Sequence, residues 1–499
     1  MSKSGMNFVF FFPDEMRAES LGCYGHPSVQ TPNFDQFALE GVRFDQCHVQ
    51  NPVCSPSRCS MMTGLYPHVS GHRTLWHLLR PHEPSLFGYL KQAGYQIRWY
   101  GKNHLYSDDA LHQLLDDDAM RTPEEIKRQM LGDFRAHNPY SSNDPRFYSF
   151  LLKPEEGEQG LTETEINVRQ AIRFLQSEEA KQQPFILFLP TLMPHAPYVA
   201  PEPFYSMYSP DELPPLKPVV AEGKPSYHEL IRSYRHLDEI DDDTLVRIQA
   251  TYLGMISHVD AVFGELMDAL AASGLSDSTT VIVSSDHGDY AGDYGLVEKW
   301  PNAMEDCLTR VPLMIRTPNG CRGHSVLEQV ELFDILPTVL ELAGIEAQHD
   351  HFAQSLVPQL LGATGDLERA VFAEGGYDGR EPHCFEGDPV RDDWFATNPQ
   401  SYYWPKARQQ QERPESVCRA TMMRTLDFKL VYRTEDVNEL YDLRLDPWEL
   451  NNVYEKPDYS DVRRSMESAL LNWYVRTSDV VPRDSDPGRF IVKGAGQDG

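Results

Sequence analysis

Four short apolar runs, at residues 7–12, 96–100, 184–189 and 279–284, are each bounded by turn residues and separated by segments with helical periodicity. Runs of this length with no polar alternation belong to strands covered on both faces. Between them, 31–40, 86–93 and 163–177 carry helix patterns. The stretch 248–270 sets Leu253, Ile256, Val259, Phe263, Leu266 and Leu270 at spacings of three and four, the mark of an amphipathic helix. Strands alternating with helices predict an α/β fold with a large, mainly parallel sheet sandwiched by helices.

After Gly362 the texture changes. Residues 381–414 are polar and aromatic with several Pro and Gly, which reads as a long loop or insertion. Short strand patterns follow at 420–424, 428–432 and 439–443, then a helix over 460–473. This predicts a smaller antiparallel sheet with one covering helix. The expected division is a catalytic α/β domain over 1–365 and a smaller C-terminal α+β subdomain over 366–499, which contributes an insertion to the substrate pocket. Segment 106–154, with Asp116-Asp117-Asp118, reads as a surface excursion near the substrate entrance.

The 499 residues carry 75 acidic and 45 basic side chains, a net charge of −30 with neutral His. A surface this negative repels phosphate backbones and anionic lipid heads, so neither nucleic acid nor a membrane is an expected partner. An anionic substrate needs a local basic pocket working against that field. No apolar run approaches the ~20 residues of a membrane span, and the first residues carry no signal-peptide pattern. The eight Cys show no CxxC spacing. The expectation is a cytoplasmic chain with mostly buried free thiols; its oligomeric state is not legible.

In an open parallel sheet, ligands collect outside the carboxyl ends of the strands. Asp14-Glu15 follow the first run, Lys102-Asn103-His104 the second, His195 the third and Asp286-His287 the fourth. The three acids and the imidazole offer the ligands of a hard or borderline divalent cation. Such a set suits Ca²⁺, and the imidazole also admits Mn²⁺ or Zn²⁺.

In Asn51-Pro52-Val53-Cys54-Ser55-Pro56-Ser57-Arg58, a Cys precedes a Pro and an Arg stands four residues on. At a helix N-terminus this is an electropositive setting that favours a reactive thiolate or an anionic ligand. A buried Cys in a Pro-containing turn is the other reading.

The run Cys54-Ser55-Pro56-Ser57-Arg58 resembles the C-x-P-x-R signature of the type I sulfatases of the alkaline phosphatase superfamily, in which the Cys is oxidised to formylglycine. Similar context surrounds it: Leu21-Gly22-Cys23-Tyr24-Gly25, Thr31-Pro32-Asn33, Thr63-Gly64-Leu65-Tyr66-Pro67-His68, Gly101-Lys102-x-His104, Pro194-His195-Ala196-Pro197, Ser285-Asp286-His287-Gly288, and Glu439-Leu440-Tyr441-Asp442-Leu443 with Asp446-Pro447.

The resemblance implies a formylglycine made from Cys54 by a formylglycine-generating enzyme and hydrated to a gem-diol that attacks sulfur. Asp14, Glu15, Asp286 and His287 match the metal positions, with residue 54 completing the shell. Arg58 and Lys102 would position the diol, and His104 would be the base that lets sulfate leave. His195 and Lys299, the latter in an Asp-Tyr-Gly-Leu context, would bind sulfate oxygens and help protonate the leaving alcohol. Two departures stand out: Glu15 where most relatives have Asp, and an Asp286-His287 pair shared with the phosphonate and phosphodiester-cleaving branch.

The expected function is therefore sulfatase hydrolysis of a sulfate monoester. The alternatives are a phosphonate monoester or phosphodiester hydrolase, or a catalytically silent anion-binding relative. Arg73 and His77 follow the signature and are candidates to read the alcohol part of the substrate. His383, Trp394 and Tyr402 are candidates for an aromatic platform. A carbohydrate sulfate is the favoured substrate, and a sulfated phenol or small alkyl sulfate is also compatible.

Overall fold

Strand β1 (Asn7–Phe11) lies inside the large sheet with every residue buried. Phe8 and Phe10 enter one core, Val9 and Phe11 the other. Burial on both faces is why this run shows no polar alternation. The computed structural model describes residues 5–115, 135–157, 160–220, 222–387 and 397–483. Asp116, Asp117, Asp118 and Trp394 lie outside the described residues.

The large sheet adds β2 (Val42–His48), β3 (Gln96–Trp99), β4 (Phe185–Leu189), β5 (Thr279–Ser284), β6 (Arg310–Arg316) and β7 (His324–Glu331), in the order β3-β4-β1-β5-β6-β2-β7. β1 pairs in parallel with β4 and with β5, setting Phe10 opposite Phe188 on one side and Ile282 on the other. β6 runs antiparallel to both its neighbours, and the remaining pairs are parallel. The expected mainly parallel sheet is present, with one reversed strand.

Helices α1 (Pro32–Glu40), α2 (Cys54–Thr63), α3 (Leu86–Gln92), α4 (Glu163–Leu175), α5 (Asp242–Ala272) and α6 (Ile335–Ala343) cover its two faces. α1, α4 and α5 bury Phe34, Phe174 and Phe263 in one core. α2, α3 and α6 bury Met62, Phe87 and Leu336 in the other. Among the described residues no helix is long and apolar enough to cross a membrane.

The region expected as a loop over 381–414 contains a helix, α7 (Trp404–Glu412). Pro405 is tolerated in its first turn, where a missing N–H costs nothing. Its buried face is largely polar, with Lys406, Gln409 and Gln410, so the apolar period that announces most helices is absent. A separate sheet of β8 (Val371–Gly375), β9 (Ala420–Arg424), β10 (Phe428–Arg433) and β11 (Glu439–Asp442) is antiparallel throughout, one strand larger than expected. Helix α8 (Ser460–Thr477) covers it with Met466, Leu470 and Trp473. The small sheet is tied to the segment before Cys54, because Glu374 N–H donates to Gln50 O at 2.9 Å and Asn51 Nδ2 donates to Glu374 O at 2.7 Å.

Candidate active site

Cys54 is the first residue of α2, preceded by Val53 in extended conformation, and every residue of α2 is buried. One turn on, Arg58 donates from Nη2 to Asp14 Oδ2 at 2.6 Å and from Nε to Asp286 Oδ2 at 2.9 Å. It thereby joins the end of β1 to the end of β5 through a fully buried ion triad. Glu15 sits at φ 66°, a left-handed conformation that lets its N–H donate to Asp286 Oδ1 at 3.2 Å. The tight bend after β1 thus turns both Asp14 and Glu15 towards the same space.

The Cys54 Sγ lies 3.2 Å from His287 Nε2, 3.6 Å from Asp14 Oδ1 and 3.9 Å from Lys102 Nζ. Lys102 Nζ is itself 3.0 Å from Asp14 Oδ2. Burial and the Asp14 carboxylate push the Cys54 thiol up, but Lys102, Lys299 and His287 outweigh them and bring it down to about 5. These cations make a setting that favours negative charge at position 54.

Asp14, Glu15, Cys54 and His287 bring one ligand atom each to within 4.8 Å of one another, all buried. His287 Nδ1 lies 2.8 Å from Gly288 O, a contact that turns the ring with Nε2 towards this group. Asp286 was expected as a ligand beside them. Its Oδ2 accepts from Arg58, its Oδ1 from the N–H groups of Glu15 and His287, and its Oδ2 is 3.8 Å from His287 Nε2. It borders the group and orients Arg58.

The donor set of two carboxylates, residue 54 and an imidazole fits a divalent cation. Arg58, Lys102 and Lys299 face the three carboxylates of Asp14, Glu15 and Asp286. A divalent ion held by this group would add positive charge for an anionic ester, in a chain of net charge −30.

Lys299 donates to Glu15 Oε1 and lies 3.2 Å from His195 Nε2, which is also 3.2 Å from Glu15 Oε1. His195 Nδ1 faces the Ala196 carbonyl, so it carries the proton and Nε2 is the acceptor. Burial, together with Lys299 and Lys102, lowers His195 to about 4. Burial and Lys102 likewise lower His104 to about 3, and its buried Nδ1 has no hydrogen-bond partner among the described residues.

Arg73, His77 and His383 form a second group, a wall tied to α2 at the residue after Cys54. Ser55 Oγ donates to Leu75 O at 3.0 Å, bringing segment 73–77 against α2. Arg73 pairs with both carboxylate oxygens of Glu381, the His77 and His383 rings meet edge-on at 6.0 Å, and Trp76 Nε1 donates to His383 O at 3.2 Å. Arg73 therefore enters this wall as an ion pair and not as an isolated cation. Tyr402, expected in a platform with His383, instead packs on Phe147 and Phe150.

Sequence reasoning missed Glu298, Arg235 and Lys406, which stand behind Lys299. The only signal was a charged residue adjoining Lys299 and a Lys in a polar segment with no apolar period.

The sulfatase family model matches residues 6–345, and the family described as N-sulphoglucosamine sulphohydrolase, C-terminal, matches residues 394–476. The chain is 28% identical over 489 residues to the uncharacterized sulfatase YidJ of Escherichia coli, covering 95% of this chain and 88% of that protein. It is 26% identical over 557 residues to the N-acetylglucosamine-6-O-sulfatase of Bacteroides thetaiotaomicron, covering 97% and 89%. The solved phosphonate monoester hydrolase of Agrobacterium radiobacter shares the fold, with TM-score 0.75, 23% identity and coverage of 95% and 96%. With the family match spanning the sheet and every element that carries the buried cluster, this chain belongs to the sulfatase family of sulfuric ester hydrolases.

Proposed function

We propose that the chain hydrolyses sulfate monoesters at position 54, after a formylglycine-generating enzyme has converted Cys54 to formylglycine. The observation that carries this reading is the placement of residue 54 at the start of a buried helix, against His287, Asp14 and Lys102. Asp14, Glu15, His287 and residue 54, with Asp286 at the border of the group, would hold one divalent cation, with Ca²⁺ favoured and Mn²⁺ or Zn²⁺ compatible; such an ion would lower the pKa of an oxygen on residue 54 and neutralise ester charge.

The chain's own side chains supply the rest. Arg58 fixes Asp14 and Asp286 together, and with Lys102 it holds negative charge on residue 54 in place. Lys299 carries the ammonium that binds a sulfuryl oxygen and donates to the leaving alcohol, while neutral His195 orients it through Nε2. His104 is neutral over the working pH range and accepts the proton as sulfate departs. The wall of Arg73-Glu381, His77 and His383 contacts the alcohol part of the substrate.

A sulfated sugar or oligosaccharide is the substrate class we favour, supported by the similarity to an N-acetylglucosamine-6-O-sulfatase and by the polar and aromatic lining of that wall. Among the described residues no disulfide joins any of the eight cysteines, a pattern in keeping with a reducing, cytoplasmic setting. A second reading, hydrolysis of phosphonate monoesters or phosphodiesters, is favoured by one observation: a His, His287, faces residue 54.

Matched aryl sulfate and aryl phosphonate esters, turned over by metal-loaded protein bearing the aldehyde, test these readings. Higher kcat/KM for the sulfate supports the first. Preference for the phosphonate replaces it with the second. Turnover of neither leaves an anion-binding relative.

A further inference from the structure

Glu298 is 1% exposed at φ 62°, and its backbone is held at both ends. Its N–H donates to Tyr198 Oη at 2.8 Å and its carbonyl accepts from the Tyr290 N–H at 3.1 Å. With the backbone fixed, the carboxylate has one place to go, and three cations converge there. Lys406 Nζ donates to Oε1 at 2.9 Å, Arg235 Nη2 donates to Oε2 at 3.3 Å, and Lys299 Nζ stands 3.4 Å from Oε1.

The two outer cations are anchored elsewhere. Arg235 Nη1 donates to the carbonyls of Tyr148 and Tyr402, and its guanidinium lies 4.5 Å from the centre of the Phe150 ring. Lys406 is 3% exposed, projects from α7 and stands 3.5 Å from Glu386 Oε1. Burying an ammonium is costly unless it is paired, so the largely polar buried face of α7 needs this carboxylate.

Lys299 therefore lies between two carboxylates, Glu15 on the substrate side and Glu298 behind. Were Glu298 balanced by Arg235 alone, it would compete for the Lys299 ammonium and draw it out of the site. Sharing Glu298 with Lys406 and Arg235 weakens that pull and leaves the contacts to Glu15 and His195 intact.

We propose that Glu298, neutralised by Lys406 from α7 and by Arg235, is a positioning residue that sets Lys299 for the ester, so that the late segment around α7 governs the reaction without touching the substrate. This rests on the reading of Lys299 as the group that binds the sulfuryl oxygen.

A double-mutant cycle tests it, because coupling between two side chains appears only when one acts through the other. In the metal-loaded protein, Lys406→Met is expected to lower kcat/KM on an aryl sulfate by about tenfold or more, and Lys406→Arg to recover most of it. In a Lys299→Met background, Lys406→Met should cost less than about twofold. The same cycle is read independently of turnover by calorimetric titration with inorganic sulfate, where Lys406→Met weakens binding only while Lys299 is present. That second arm separates failure of this proposal from failure of the sulfatase reading, since it needs no hydrolysis.

Should Lys406→Met fail to fold, Glu298→Gln combined with Lys406→Gln removes both charges and enters the cycle in its place. Losses that simply add in both backgrounds, in turnover and in sulfate binding, overturn the proposal.

Discussion

The Cys54 sulfur lies 3.2 Å from His287 Nε2, although 233 residues of chain separate them. The contact joins the N-terminus of α2 to the loop after the carboxyl end of β5, two elements far apart in the sequence. Every chemical expectation for this protein follows from what stands around that contact.

Cys54→Ala is expected to abolish turnover while changing stability by no more than about 1–2 kcal/mol, because the side chain is small and its loss leaves little cavity. Urea unfolding alongside an ester hydrolysis assay checks both parts. Retention of most activity contradicts the assignment of residue 54 as nucleophile.

Arg58→Met leaves Asp14 and Asp286 as buried carboxylates without their shared partner. Breaking a buried ion pair from one side costs about 3–5 kcal/mol. Denaturant unfolding of the metal-free protein should show a loss of that size, and added divalent cation should restore part of it by replacing the missing charge. A loss below about 1 kcal/mol contradicts the triad as a structural unit.

His104 sits at about 3, below the ordinary value of 6.5, because burial and Lys102 disfavour its charged form. The unfolded chain takes up this proton first, so the folded state loses stability as pH falls from about 6.5 towards 3. His104 is unprotonated across the same window. The pH dependence of kcat should therefore show no acid limb near 6.5 from this residue, and His104→Gln should flatten the stability slope between pH 6.5 and the acid transition. An unchanged slope contradicts the depressed value.

Asp14→Asn removes a charged donor from the buried group that includes His287 and Glu15. Bound metal per chain, measured after dialysis against limiting Ca²⁺ or Mn²⁺, should fall well below that of the wild type. Equal metal content in both proteins places the ion elsewhere.

Much of this arrangement was legible in the sequence, for identifiable reasons. β1, β4 and β5 are buried on both faces, so their apolar runs announce them. β2 was not legible: Val42–His48 mixes Arg43, Asp45 and Gln46 with apolar residues and carries a register shift between Phe44 and Cys47, so neither period appears. α7 reads as loop in the sequence because its buried face is largely polar. Cys54, Arg58, Asp14 and His287 were found because their chemistry is local to short motifs. Glu298, Arg235 and Lys406 were not, because an ion cluster assembled from three distant segments leaves no spacing to read.

Mass spectrometry of the proteolytic peptide containing residue 54, taken on preparations of graded specific activity, tests the central claim most directly. The account predicts an aldehyde in place of the thiol, with the converted fraction rising in proportion to turnover. Full activity in a preparation whose peptide carries only the unmodified cysteine would contradict it.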